Sequence, residues 1–304
     1  MTTGTVLILG GSGRIGRHAT RAFDAAGWTV RGFDRARDDL LTAATGADVI
    51  VMGAHPPSYD LWADQLLPLH ASVIAAAEAT GATVIVPGNV YAFGPDAPAP
   101  WGPASPQTAR NPLGLLRIEM ERMYRRSQAR TVFLYCGDFI DDTPSGGWFD
   151  RFVTPRIDRG ILSWPGDPEA MHAWAYLPDV ARIMVALAGQ RAALDRFEPV
   201  PVPGFTLSGR QMGQEIARTL GRDVRVGRMG WWWLHLLRPV MPVLSGVFEM
   251  RYLWSLPHRL DTSGMDRLLP GFRPTPVQAA LAAALAHKGA SPVTQPLRPG
   301  ERLA

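Results

Sequence analysis

Lysine, cysteine and long apolar runs are what this chain of 304 residues has least of. It contains one cysteine, Cys136, which excludes a disulfide framework and any metal centre built on cysteine, and no metal is expected. Cys136 follows the β-rich run 131–135, a setting that points to a buried, inert thiol. The first apolar segment begins within a few residues of Met1, so no secretory leader is expected and a reduced, cytoplasmic setting is. The most apolar stretch, 231–254, is broken by Arg238, Pro239, Pro242, Glu249 and Arg251. No uncharged run there reaches the ~20 residues of a membrane span, so pocket-forming or interface helices are expected and a membrane partner is not. Net charge is +4 with arginines scattered along the chain, which argues against a nucleic-acid partner. All but one of the 31 Lys and Arg residues are arginine; the exception is Lys288.

What the chain does have appears at once. The apolar run 5–9 leads into Gly10-Gly11-Ser12-Gly13-Arg14-Ile15-Gly16, with glycines at three-residue spacing. Gly10 permits a tight turn out of a strand, Gly13 lets backbone approach a pyrophosphate, and Gly16 lets the following helix pack close to the sheet. That helix, expected from about Arg14 to Ala26, would aim the N–H groups around Ser12, Gly13, Arg14 and Ile15 at phosphate. A second strand, 29–33, ends at Asp34, at the distance where a carboxylate can accept hydrogen bonds from an adenosine ribose. Asp34 favours NAD(H); Arg35 beside it and Arg14 in the loop could instead clamp the extra phosphate of NADP(H), so the preference for NAD(H) is slight.

Strands and helices alternate from 5 to about 140, which predicts a doubly wound parallel α/β sheet of Rossmann type. A Gly/Pro-rich passage, 141–168, interrupts this rhythm, and beyond 224 tryptophan, methionine and proline accumulate. The expected division is a dinucleotide-binding part over 1–140 and about 171–203, and a smaller C-terminal substrate-binding lobe over about 141–170 and 204–288. The tail 289–304 is expected to be disordered.

Several segments extend the pattern beyond the glycines: Asp48-Val49-Ile50-Val51-Met52-Gly53-Ala54, Val84-Ile85-Val86-Pro87-Gly88-Asn89-Val90-Tyr91, His172 to Ala181, and Thr262 to Pro276. Over about residues 5–287 the chain resembles the extended short-chain dehydrogenase/reductase superfamily, the NAD-dependent epimerase/dehydratase group. The resemblance implies that Gly53, Ala54 and His55 back the cofactor and that the protein forms a homodimer. It also implies a Ser or Thr four residues before the tyrosine that follows strand 84–86, and a Tyr-x-x-x-Lys on the helix after it. Those positions here are Pro87, Leu113 and Arg117, and a chain whose one lysine is Lys288 has no Tyr-x-x-x-Lys in any register.

The standard acid is therefore missing. In the family the lysine lowers the tyrosine pKa and holds the nicotinamide ribose. Arg117 can keep the ribose-binding half of that role or be a solvated helix arginine paired with Glu121. The candidates for proton transfer or carbonyl polarisation are His172, Tyr91 and Asn89, with His55 beside the cofactor; each also has a plain packing or anchoring role. The aromatic, weakly charged lobe points to a small apolar or aromatic carbonyl substrate rather than a nucleotide sugar. Three functions stay open: an NAD(P)(H)-dependent oxidoreductase with a non-standard proton donor, a catalytically silent dinucleotide-binding redox sensor, and an epimerase- or dehydratase-type isomerase or lyase using bound NAD(H).

Overall fold

The computed structural model describes residues 3–288; the tail expectation falls on 289–304 and lies outside the described residues. In chain order the strands are β1 (Thr5–Leu9), β2 (Thr29–Phe33), β3 (Val49–Met52), β4 (Thr83–Pro87), β5 (Thr131–Tyr135), β6 (Asp138–Ile140), β7 (Ile161–Trp164), β8 (His172–Tyr176), β9 (Phe197–Pro201), β10 (Phe205–Leu207) and β11 (Arg225–Arg228). The helices are α1 (Arg14–Ala25), α2 (Leu40–Ala44), α3 (Trp62–Thr80), α4 (Pro112–Arg126), α5 (Leu177–Gly189), α6 (Gly209–Leu220), α7 (Trp232–Leu237), α8 (Val243–Glu249), α9 (Met265–Leu268) and α10 (Val277–Ala286).

The central sheet has the order β2-β1-β3-β4-β5-β9, with every neighbouring pair parallel. This is the Rossmann-type α/β sheet that the alternation predicted. Two-residue periodicity divides its side chains between two faces. Val6 and Ile8 of β1 join Phe23 of α1 and Ile183 and Leu187 of α5 in one core. Leu7 and Leu9 join Leu66 and Val73 of α3 and Met120 and Tyr124 of α4 in the other. Strand order reverses between β1 and β3, and a crevice opens outside their carboxyl ends at that switch point.

Around this sheet the chain builds two smaller ones: β10-β8-β6, and β11 paired with β7. β8 thus hydrogen-bonds to β6 and β10 and not to the central sheet. Trp164, Trp174, Met212, Ile216, Trp254 and Leu281 form the core there. Two motifs distant in sequence explain each other at this point. Buried Asp179, in the first turn of α5, accepts hydrogen bonds from Thr275 N (2.7 Å) and Thr275 Oγ1 (2.8 Å). The Leu-Pro-Asp start of α5 and the Pro-Thr-Pro start of α10 are therefore two halves of one tie. Lys288 serves a similar purpose, donating to Thr154 Oγ1 at 2.9 Å and to the Asp150 and Thr154 carbonyls; the lone lysine staples the end of α10 to the 141–168 passage.

Candidate functional site

A cleft of about 1320 Å³ runs from the glycine loop, past the ends of β3 and β4, to α7 and α8. A second cavity of about 390 Å³ lies over the end of β2, against Gly11, Gly32, Asp34, Arg35 and Asp38. Gly10, Ser12, Phe33 and Arg35 border both, so the two cavities form one path at the switch point.

The geometry of the loop explains its glycines. Gly10 has φ +71°, a left-handed conformation natural to glycine, and a Cβ there would meet Ala54 N at 2.7 Å. A Cβ on Gly16 would strike the Gly10 carbonyl oxygen, so only glycine lets α1 start this close to β1. Gly13 N–H is used within the turn, donating to Gly10 O at 2.9 Å. Arg14 and Ile15, at the start of α1 where helix N–H groups have no intrahelical partner, border the cleft. At the far cavity Asp34 is joined by a carboxylate the sequence reading missed, Asp38, which accepts from Asp34 N at 2.7 Å. A dinucleotide fits these residues: a cradle that a Cβ would fill, a helix N-terminus for phosphates, and a carboxylate-edged cavity with room for an adenosine ribose.

The middle of the cleft brings together residues from three segments. Tyr91 and Asn89 line it, as do Tyr59 and Trp148. Tyr59 Oη and Tyr91 Oη are hydrogen-bonded at 2.9 Å, and the Trp148 indole N–H approaches Tyr59 Oη at 3.4 Å. Burial, above all, pushes both phenols up from their ordinary value, so both stay protonated and can donate but not act as bases. Asn89 Oδ1 accepts from Tyr91 N at 3.1 Å, leaving its NH₂ group to offer a ligand. The chain leaves the sheet at Pro87, and Tyr91 sits in the turn beyond it.

Arg117 lines the cleft and is buried. It does not pair with Glu121, whose carboxylate is taken by Gln107, Arg125 and Tyr135. Its Nη2 donates instead to His55 Nε2 at 2.6 Å, and its guanidinium stacks over Trp62 at 4.4 Å. No carboxylate forms an ion pair with it among the described residues, and its Nε has no partner. Loss of bulk water and then the Arg117 charge hold the His55 imidazole well below its ordinary pKa. The ring is thus neutral, with Nδ1–H donating to Pro56 O at 2.9 Å and Nε2 free to accept.

His172 is placed differently from the expectation. All of β8 is buried, and the His172 ring stacks on Trp254 with centroids 4.2 Å apart and contacts His258 at 4.5 Å. It does not line the cleft; it reaches that space only through Asp138, whose Oδ2 lies 2.8 Å from His172 Nε2. Packing against Trp164, Trp174 and Trp254 is what holds the ring in the aromatic core. Leu113, standing where the resemblance would put the tyrosine, is likewise buried off the cleft, with its N–H bonded to Glu249 Oε1. Cys136 is buried and borders the cleft, and burial pushes its thiol up. His18, Asp141 and Asp142 cluster beside α1, with Arg17 and His18 both engaging Asp141.

No protein-family model and no curated protein matches the sequence. Among solved structures, the UDP-glucose 4-epimerase from Brucella ovis in complex with NAD is similar at 18% identity and TM-score 0.71, over 95% of this chain and 100% of that one. The L-threonine dehydrogenase from Phytophthora infestans is similar at 15% identity and TM-score 0.71, over 94% and 99%. MoeE5, in complex with UDP-glucose and NAD, gives the same values. The chain therefore has the fold of the NAD-dependent epimerase/dehydratase enzymes, the extended short-chain dehydrogenase/reductases, along nearly its whole described length.

Proposed function

We propose that the protein is an NAD(P)(H)-dependent oxidoreductase that reduces a small apolar or aromatic carbonyl compound, with a tyrosine pair as proton source. The observation that carries this reading is the Tyr59–Tyr91 hydroxyl pair on the wall of the same cleft that begins at the glycine loop. The loop 10–16 would hold the pyrophosphate, Asp34 and Asp38 the adenosine ribose, and Arg117 the nicotinamide ribose. Carboxylates at both Asp34 and Asp38 favour NAD(H) over NADP(H). A bound nicotinamide supplies the two electrons of the reduction.

The chain's own residues supply positioning and the proton. Reduction of a carbonyl needs a proton at its oxygen, and two buried, neutral phenols suit that task better than a base would. The Asn89 NH₂ can polarise the same oxygen. Beyond Trp148 the cleft is walled by Phe152, Leu234, Leu244 and Val247, an apolar end that matches an apolar substrate and excludes water. His172 acts, in this reading, by holding the Asp138 carboxylate in place. The remaining parts of the reading are a cytoplasmic setting, a homodimer, and a lobe over about 141–170 and 204–288 that receives the substrate.

The test is oxidation of NADH and NADPH by the purified protein against a panel of aldehydes, ketones and imines. Turnover should fall about 10²-fold in Tyr59→Phe, with dinucleotide affinity unchanged. Full turnover in the Tyr59→Phe/Tyr91→Phe double variant would refute the proton source. Tight dinucleotide binding with no turnover on any compound would favour the redox sensor. The similarity to epimerases favours a second reading, an isomerase or lyase; conversion of a nucleotide sugar without net loss of NAD(P)H would establish it.

A further inference from the structure

We propose that the α7–α8 segment is a docking surface for an anionic lipid bilayer, set at the mouth of the cleft. Five of the seven large apolar side chains that the described residues expose lie between 232 and 241: Trp232 at 72% exposure, Leu236 at 71%, Val240 at 74%, with Leu237 and Met241. An exposed apolar group this concentrated marks an interaction surface. The other side of the same segment anchors it, for Trp231, Leu234, Leu244 and Val247 form a buried cluster and the Trp231 indole N–H donates to Pro165 O at 2.7 Å. Pro239 and Pro242 divide the run into two short helices. The result lies on a surface rather than crossing one, and no described helix is long and apolar enough to cross a membrane.

Charge identifies the occupant. From 224 to 260 the only acidic residue is Glu249, and its carboxylate is turned inward to Asn111 Nδ2 and Leu113 N. Arg228, Arg238 and Arg251 in the same stretch are exposed and form no ion pair among the described residues. Exposed apolar side chains with tryptophan among them and Arg238 between them, in a stretch whose one carboxylate is turned inward, complement anionic headgroups over an acyl layer. A second copy of the chain would instead bring two arginine-rich faces together. Leu237 and Met241 are exposed and also line the cleft, so an apolar substrate can pass from lipid into the site. That last step rests on the function proposed above; the docking does not.

The experiment is flotation of the full chain, without cofactor or substrate, with phosphatidylcholine vesicles that contain or lack phosphatidylglycerol. Binding should be at least tenfold tighter to the anionic vesicles and weaken with added salt. Arg238→Glu should lower it more than about fivefold, and the W232S/L236S/V240S variant at least tenfold, with melting temperature and dinucleotide affinity retained. Failure of the native chain to float, equal binding to neutral vesicles, or undiminished binding by the triple variant overturns the proposal. Self-association abolished by the triple variant also overturns it, assigning the face to a second copy. Carbonyl turnover is read in separate assays, so either proposal can fail alone.

Discussion

Replacing Arg117 with methionine should make the unliganded protein more stable and the dinucleotide complex weaker. Burial pulls the Arg117 pKa down from the ordinary guanidinium value to about 10, a fall of about 2–3 units. A guanidinium stays charged in proteins, so the difference measures the cost of keeping that charge away from water. At about 1.36 kcal/mol per pH unit it amounts to about 3 kcal/mol. Opposing it are one hydrogen bond to His55 Nε2 and the stack on Trp62, worth about 1 kcal/mol each. Methionine keeps an apolar stem but loses the charge, the hydrogen bond and the stack, so the expected gain is about 1 kcal/mol, or about 2–4 °C in melting temperature. Loss of a charged donor to the ribose should weaken dinucleotide binding about tenfold or more. Denaturant unfolding of the free protein and calorimetric titration with NADH measure the two effects. A variant destabilised by more than about 1 kcal/mol with native affinity would refute the reasoning, since Arg117 would then be a structural residue.

Two other perturbations probe the supports of the site. In Gly16→Ala the new Cβ strikes the Gly10 carbonyl oxygen, so dinucleotide affinity should fall more than about tenfold as the loop shifts; titration calorimetry reads this directly. Asp141→Asn should cost about 2 kcal/mol, because Arg17 and His18 lose their shared carboxylate. Burial alone would raise the Asp141 pKa, but hydrogen bonds from His18 and Thr143 and the neighbouring Arg17 charge hold it below the ordinary 3.8. A lowered folded-state pKa stabilises the fold above 3.8 and loses that effect as pH falls below it. The native chain should therefore lose stability in that acid range, and the variant should show a flatter profile in urea unfolding measured against pH.

The glycine loop, the parallel sheet and the absence of a Tyr–Lys acid were all determined by sequence. Each depends on local chemistry: a left-handed turn needs glycine, an alternating apolar run makes a strand, and a chain with one lysine cannot place another. Tertiary structure decided the rest of the site. Tyr59 meets Tyr91 across 32 positions, His55 meets Arg117 across 62, and Glu249 caps Leu113 across 136. No spacing rule within one segment encodes these pairs, because packing of separate segments sets them. The same packing turned His172 into an aromatic core, although its sequence neighbourhood suggested the cleft. It also left Trp232, Leu236 and Val240 in solvent, in a stretch where composition had suggested pocket-forming or interface helices without saying which side chains would face out. Backbone requirements are read one residue at a time, whereas side-chain partners are fixed only when the whole chain has closed around them.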